Sequence, residues 1–109
     1  MRVELLYFDG CPNWDATRDK LQAVLSEMGL RQQIQLVRVP DEATAQRLDF
    51  PGSPTVRVNG KDVEPSPPEG RPGLGCRVYW SKGRMQGTPE REWLISALRD
   101  AVKDEKEES

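Results

Sequence analysis

Apolar and polar positions alternate between two periods along this chain. Val3, Leu5 and Tyr7 interleave with Glu4, Leu6 and Phe8. This largely apolar run has both faces covered, as a central strand requires. From about Pro12 to Met28 the period lengthens, and Trp14, Leu21, Val24, Leu25 and Met28 fall on one helical face. Gly29 follows, as glycine commonly does just past a helix. Gln33 to Val39 predicts a second strand. Asp41 and Glu42 then mark the N-cap and first turn of a short helix reaching about Leu48. After the break at Pro51-Gly52-Ser53-Pro54, Thr55 to Val58 resumes as a strand. Asn59-Gly60 is a hairpin turn, with Lys61 to Glu64 returning antiparallel.

Between Glu64 and Cys76 more than half of the residues are proline or glycine, which predicts a loop. Cys76 to Trp80 alternates as a short extra strand, with Ser81-Lys82-Gly83 as a turn. Thr88 then caps a last helix, with Pro89 in its first position and Trp93, Leu94, Ala97, Leu98 and Ala101 as its apolar stripe. Residues 1–102 therefore read as one domain with an insertion over about 64–87, and 103–109 as a charged, fraying tail. The order β-α-β-α-β-β-insertion-α joins strands one and two through a helix, as a parallel pair requires, and strands three and four as a hairpin. The expected fold is α/β: a four-stranded mixed sheet with helices on both faces and a Pro/Gly-rich insertion before the last helix.

Composition narrows the chemistry. With 36% hydrophobic residues, 31% charged and a net charge of −2, nothing favours nucleic acid or an anionic membrane as a partner. No apolar run approaches the ~20 residues of a membrane span. Arg2 and Glu4 interrupt the place where a signal peptide would form, so a soluble cytoplasmic location is expected. The chain has no histidine and two cysteines. That removes Ser-His and Cys-His catalysis and every His-ligated metal site, and two thiols are too few for a closed zinc site. No metal and no cofactor is expected.

Cys11 stands between the first strand and the first helix. A helix start offers unpaired N–H groups and a positive dipole end, which favour a thiolate. The other reading of Cys11 is a buried cysteine acting as a small hydrophobe. Asp9 and Asp15 flank it as candidate proton acceptors, although their charge opposes a nearby thiolate.

Two stretches resemble the thioredoxin superfamily: Cys11-Pro12-Asn13-Trp14 between strand and helix, and Ser53-Pro54-Thr55 before the hairpin strand. The resemblance implies a thioredoxin-like fold and a cis Ser53–Pro54 bond facing Cys11. More narrowly, Gly52 to Gly60 and Gly73 to Trp80 are similar to small bacterial thioredoxin-like proteins, some of them labelled alkylmercury lyase-like. The chain departs from the dithiol members, which carry a second cysteine where Trp14 stands here, so CxxC chemistry is excluded.

The topology predicts that the insertion leaves the sheet at the Cys11 end and carries Cys76 with it. The expectation is then a thiol-dependent redox protein: Cys11 attacks a disulfide and Cys76 resolves the intermediate. Ser53, Pro54, Thr55 and Trp14 would bind the thiol or disulfide substrate, protein or small molecule, with Ser53 and Thr55 offering backbone groups for strand addition. Arg77 and Arg84 are candidates for holding a carboxylate. Two alternatives stay open. One is a soft-metal or organomercurial handler using Cys11 and Cys76 as thiolate ligands. The other is a non-catalytic binding module, forming a homodimer through an exposed sheet edge.

Overall fold

The computed structural model describes residues 1–67 and 72–108; the part of the expected loop at 68–71, and Ser109, lie outside them. Strand β1 (Val3–Tyr7) is central. It pairs in parallel with β2 (Ile34–Arg38), Leu5 opposite Leu36, and antiparallel with β3 (Thr55–Val58), Leu5 opposite Val56. A two-residue β4 (Lys61–Asp62) completes a mixed sheet in the order β2-β1-β3-β4. The turn before β4 places Asn59 and Gly60 at φ 52° and 83°, the left-handed pair that a tight hairpin needs.

Alternation along β1 and β3 sorts side chains to two faces. Val3, Leu5, Val56 and Val58 meet Leu21, Val24 and Leu25 of α1 (Trp14–Glu27) and Leu94, Leu98 and Ala101 of α3 (Arg91–Glu108). Leu6 points the other way, to Val39, Phe50 and Ala45 of α2 (Glu42–Arg47). Helices therefore cover both faces. Each of these large side chains, fully buried, contributes about 1.5–3 kcal/mol. Asp41 caps α2, accepting from the Thr44 N–H at 2.8 Å, and Gly29 ends α1 at φ 70°.

Several boundaries differ from expectation, among them β4, which ends at Asp62 rather than Glu64, and the extra strand, which starts at Tyr79 rather than Cys76. Helix α1 begins at Trp14, with Asn13 rather than Pro12 at its start. Helix α3 begins at Arg91 rather than at Pro89, and the Thr88 hydroxyl and the Pro89 carbonyl accept from the Lys20 ammonium at 2.9 and 2.8 Å. Residues 103–108 of the expected tail are the last turns of α3. Its Lys and Glu residues are good helix formers, and Glu105 pairs with the Met1 amino group at 2.6 Å. The extra strand is a hairpin, β5 (Tyr79–Ser81) with β6 (Arg84–Gln86), turning through Lys82 and Gly83 at φ 55° and 75°. Arg84-Met85-Gln86 is too short and polar to announce a strand. Among the described residues no helix is long and apolar enough to cross a membrane.

Candidate functional site

The chain leaves β1 through a tight turn in which the Cys11 N–H donates to the Phe8 carbonyl at 3.1 Å. This brings Cys11 under the segment before β3. Cys11 is 3% exposed, and its thiol donates to the Ser53 carbonyl at 3.4 Å. The Ser53–Pro54 bond is cis, as the resemblance implied. With α1 starting at Trp14 rather than near Pro12, Cys11 stands further ahead of the helix start than expected, and the dipole reaches it less.

Ser53 is the hub of the site. It is fully buried. Its hydroxyl accepts from the Phe8 N–H at 3.3 Å. Its own N–H donates to the Gly75 carbonyl, and its carbonyl accepts from the Arg77 N–H, both at 2.8 Å. These two bonds make an isolated parallel bridge between Ser53 and Cys76. Gly52 permits the approach: at φ 131°, a Cβ on it would stand 3.1 Å from both the Gly75 oxygen and the Arg77 Cβ.

The bridge sets Cys76 beside Cys11. Both are free thiols, Cys11 buried and Cys76 exposed. Although Cys76 as a residue is exposed, local desolvation pushes its thiol up from the ordinary value, and the charge and hydrogen bonding of the adjoining Cys11 push the same way. Sequence topology placed the two thiols at one end of the sheet; the Ser53 bridge makes them neighbours.

Next to Cys76, Arg77 is 3% exposed and not a surface arginine. It grips Asp62 with both terminal nitrogens (2.7 and 3.1 Å) and reaches Glu64 at 3.3 Å and the Thr55 hydroxyl at 3.0 Å. Its guanidinium lies 4.4 Å from the centre of the Tyr79 ring. Against the desolvation that burial imposes, Asp62 and Glu64 hold it charged. Tyr79 donates its hydroxyl to the Pro54 carbonyl at 2.5 Å, and burial pushes its phenol up, which keeps it a donor. Arg77 thus anchors the strap rather than binding an external carboxylate, while Arg84 is exposed.

The residues expected to bind substrate are placed as follows. Ser53, Pro54 and Thr55 are all buried. Thr55 donates its hydroxyl to the Gly52 carbonyl at 2.6 Å while accepting from Arg77. The strand-addition groups of Ser53 are already satisfied by Gly75 and Arg77. Trp14 is half-buried and stacks on Tyr7 with ring centres 4.2 Å apart, Arg18 lying over its ring. The two aspartates turn to arginines: Asp9 pairs with Arg38 at 2.8 Å, and Asp15 sits 3.9 Å from Arg18.

Asp62, Glu64, Tyr79 and Gly52 were not singled out from the sequence. Tyr79 alone carried a signal, its place in the alternation after Cys76. Among the described residues no group of three or more Cys, Asp or Glu side chains is arranged to hold a metal ion; the chemistry on offer is that of two adjacent thiols. Comparison with protein-family models, with curated proteins and with solved structures finds no match for this chain.

Proposed function

We propose that this chain is a thiol-dependent redox protein of thioredoxin-like fold, in which Cys11 and Cys76 cycle between two thiols and one intramolecular disulfide. The observation that carries the reading is the Ser53–Cys76 bridge, which holds the only two cysteines of the sequence side by side. The reaction balances without a cofactor. One cysteine, as thiolate, attacks a sulfur of a disulfide R–S–S–R, whose S–S bond breaks. One R–S⁻ leaves and takes up a proton, and a mixed disulfide remains on the protein. The second cysteine gives up its proton and attacks the protein sulfur of that mixed disulfide, expelling the other R–S⁻, which is protonated in turn. Two protein thiols are oxidised and one disulfide is reduced to two thiols; the reverse sequence oxidises a dithiol partner.

Exposure supports an order opposite to the one expected from the sequence. The attacking sulfur must be approached in line with the bond it breaks, and Cys76 is the exposed thiol. Its raised pKa lowers its thiolate fraction and slows attack by a factor. Burial of Cys11 instead obstructs the approach itself. Cys76 therefore meets the substrate and Cys11 resolves.

The test is equilibration of the protein in redox buffers of graded glutathione ratio, acid quenching and mass spectrometry. A reversible loss of two hydrogens, mapped to Cys11–Cys76, is expected. In Cys11→Ser a mixed disulfide with glutathione accumulates on Cys76. Thiols that never pair across the whole series of buffers would end the proposal.

A further inference from the structure

We infer that the partner exchanging with this thiol pair is a low-molecular-weight disulfide or thiol rather than an extended polypeptide; the inference rests on the redox reading above. A polypeptide laid beside the cis-proline segment by strand addition would need the free N–H and C=O of Ser53. Both are occupied, by the Gly75 carbonyl and the Arg77 N–H at 2.8 Å each. The chain fills that edge with its own strap, and Cys76 is the strap residue bridged to Ser53.

The strap is held at both ends. Upstream of Cys76, the Gly73 N–H donates to the Phe50 carbonyl at 3.1 Å and the Leu74 N–H to Glu42 at 3.2 Å. Downstream, Arg77 is locked to Asp62, Glu64 and Thr55, and Tyr79 to the Pro54 carbonyl. Releasing the edge would strip partners from the buried Arg77 charge, a cost that two new backbone hydrogen bonds to a substrate do not recover. A small disulfide needs none of this, because it approaches Cys76, an exposed residue, directly and makes no demand on Ser53.

The experiment compares two reagents with the same 2-pyridyl leaving group. One is a mixed disulfide with free cysteine; the other carries the group on a cysteine in the middle of an unstructured octapeptide. Pyridinethione release is timed with folded wild-type protein, and with the same protein unfolded in guanidinium chloride, which supplies the intrinsic peptide-to-small rate ratio. The folded ratio is expected to equal or fall below the unfolded one. Strand pairing through two backbone hydrogen bonds would raise it by about tenfold or more, and that result overturns the inference. Hydrogen exchange gives a second readout: the Arg77 amide stays protected when peptide is added, and loss of that protection would show the edge opening. Exposed thiols react with such activated reagents whether or not a Cys11–Cys76 disulfide forms, so failure of the redox reading is seen separately, by mass.

Discussion

Ser53 and Cys76 form a parallel backbone bridge, and the carbonyl that Ser53 contributes to it also accepts the hydrogen bond of the Cys11 thiol. One carbonyl thus fixes both sulfurs. Most of what the molecule is expected to do under perturbation follows from this shared oxygen and from the buried arginine beside it.

Oxidation should stabilise the fold. A Cys11–Cys76 disulfide closes a loop of 65 residues, the difference of the two residue numbers (76 − 11), and the loop-entropy model gives roughly 4 kcal/mol for that length. Differential scanning calorimetry of oxidised against reduced protein should show Tm rising by about 15 °C. An unchanged or lowered Tm would mean that the bridge distorts the strap.

Iodoacetamide labelling of the reduced native protein should reach Cys76 before Cys11, because thiol reactivity follows exposure as well as thiolate fraction. The pH profile of Cys76 labelling should be displaced upward from that of an ordinary thiol, and Cys11→Ala should bring it partly back by removing the charge and the hydrogen bond of Cys11. The linkage has a definite sign. The folded pKa of Cys76 lies above the ordinary value of a thiol in the unfolded chain. Stability from this group is therefore complete below that value and declines as pH rises through the folded pKa. Preferential labelling of Cys11, or a profile indifferent to Cys11→Ala, would contradict the exposed-first order.

Arg77→Leu should destabilise the domain by about 3 kcal/mol or more, since it leaves Asp62 and Glu64 facing a mostly buried site without their cation. The pKa of Glu64 is already raised, by desolvation that Arg77 only partly offsets; without Arg77 the rise should grow. The folded pKa then lies further above the unfolded one. The deficit against wild type should shrink as pH falls below the carboxylate range and widen as it rises through the folded pKa of Glu64. Urea unfolding of both proteins at pH 4 and pH 8 checks this, and an equal deficit at the two values would count against it.

Two glycines separate close approach from mere flexibility. Gly52→Ala introduces a Cβ at φ 131°, against the Gly75 oxygen and the Arg77 Cβ, and should cost about 2 kcal/mol or more. By lifting the strap it should also slow formation of the Cys11–Cys76 disulfide. Gly75→Ala, where an added Cβ meets nothing within 4 Å, should leave both properties near wild type. Thermal melts and timed thiol trapping of the two variants read the contrast; equal effects would place the close approach elsewhere.

What the sequence determined by itself was whatever is set within a few residues. The periods of Val3 to Phe8 and of the α1 stripe, the left-handed Asn59-Gly60 pair, the Asp41 cap and the Gly29 stop come from short-range sterics and hydrogen bonding. Together they order the elements and imply the mixed sheet. The tertiary structure alone decided how the thiols stand. Cys76 joins Ser53 through backbone bonds between segments 23 residues apart (76 − 53), and backbone bonding leaves no pattern in side-chain identity. Arg77 read as a candidate for an external carboxylate because its partners, Asp62 and Glu64, become neighbours only when the strap folds back over β4. The exposure of Cys76 and the burial of Cys11 likewise depend on which segment covers which, and that is fixed by long-range packing rather than by any local preference.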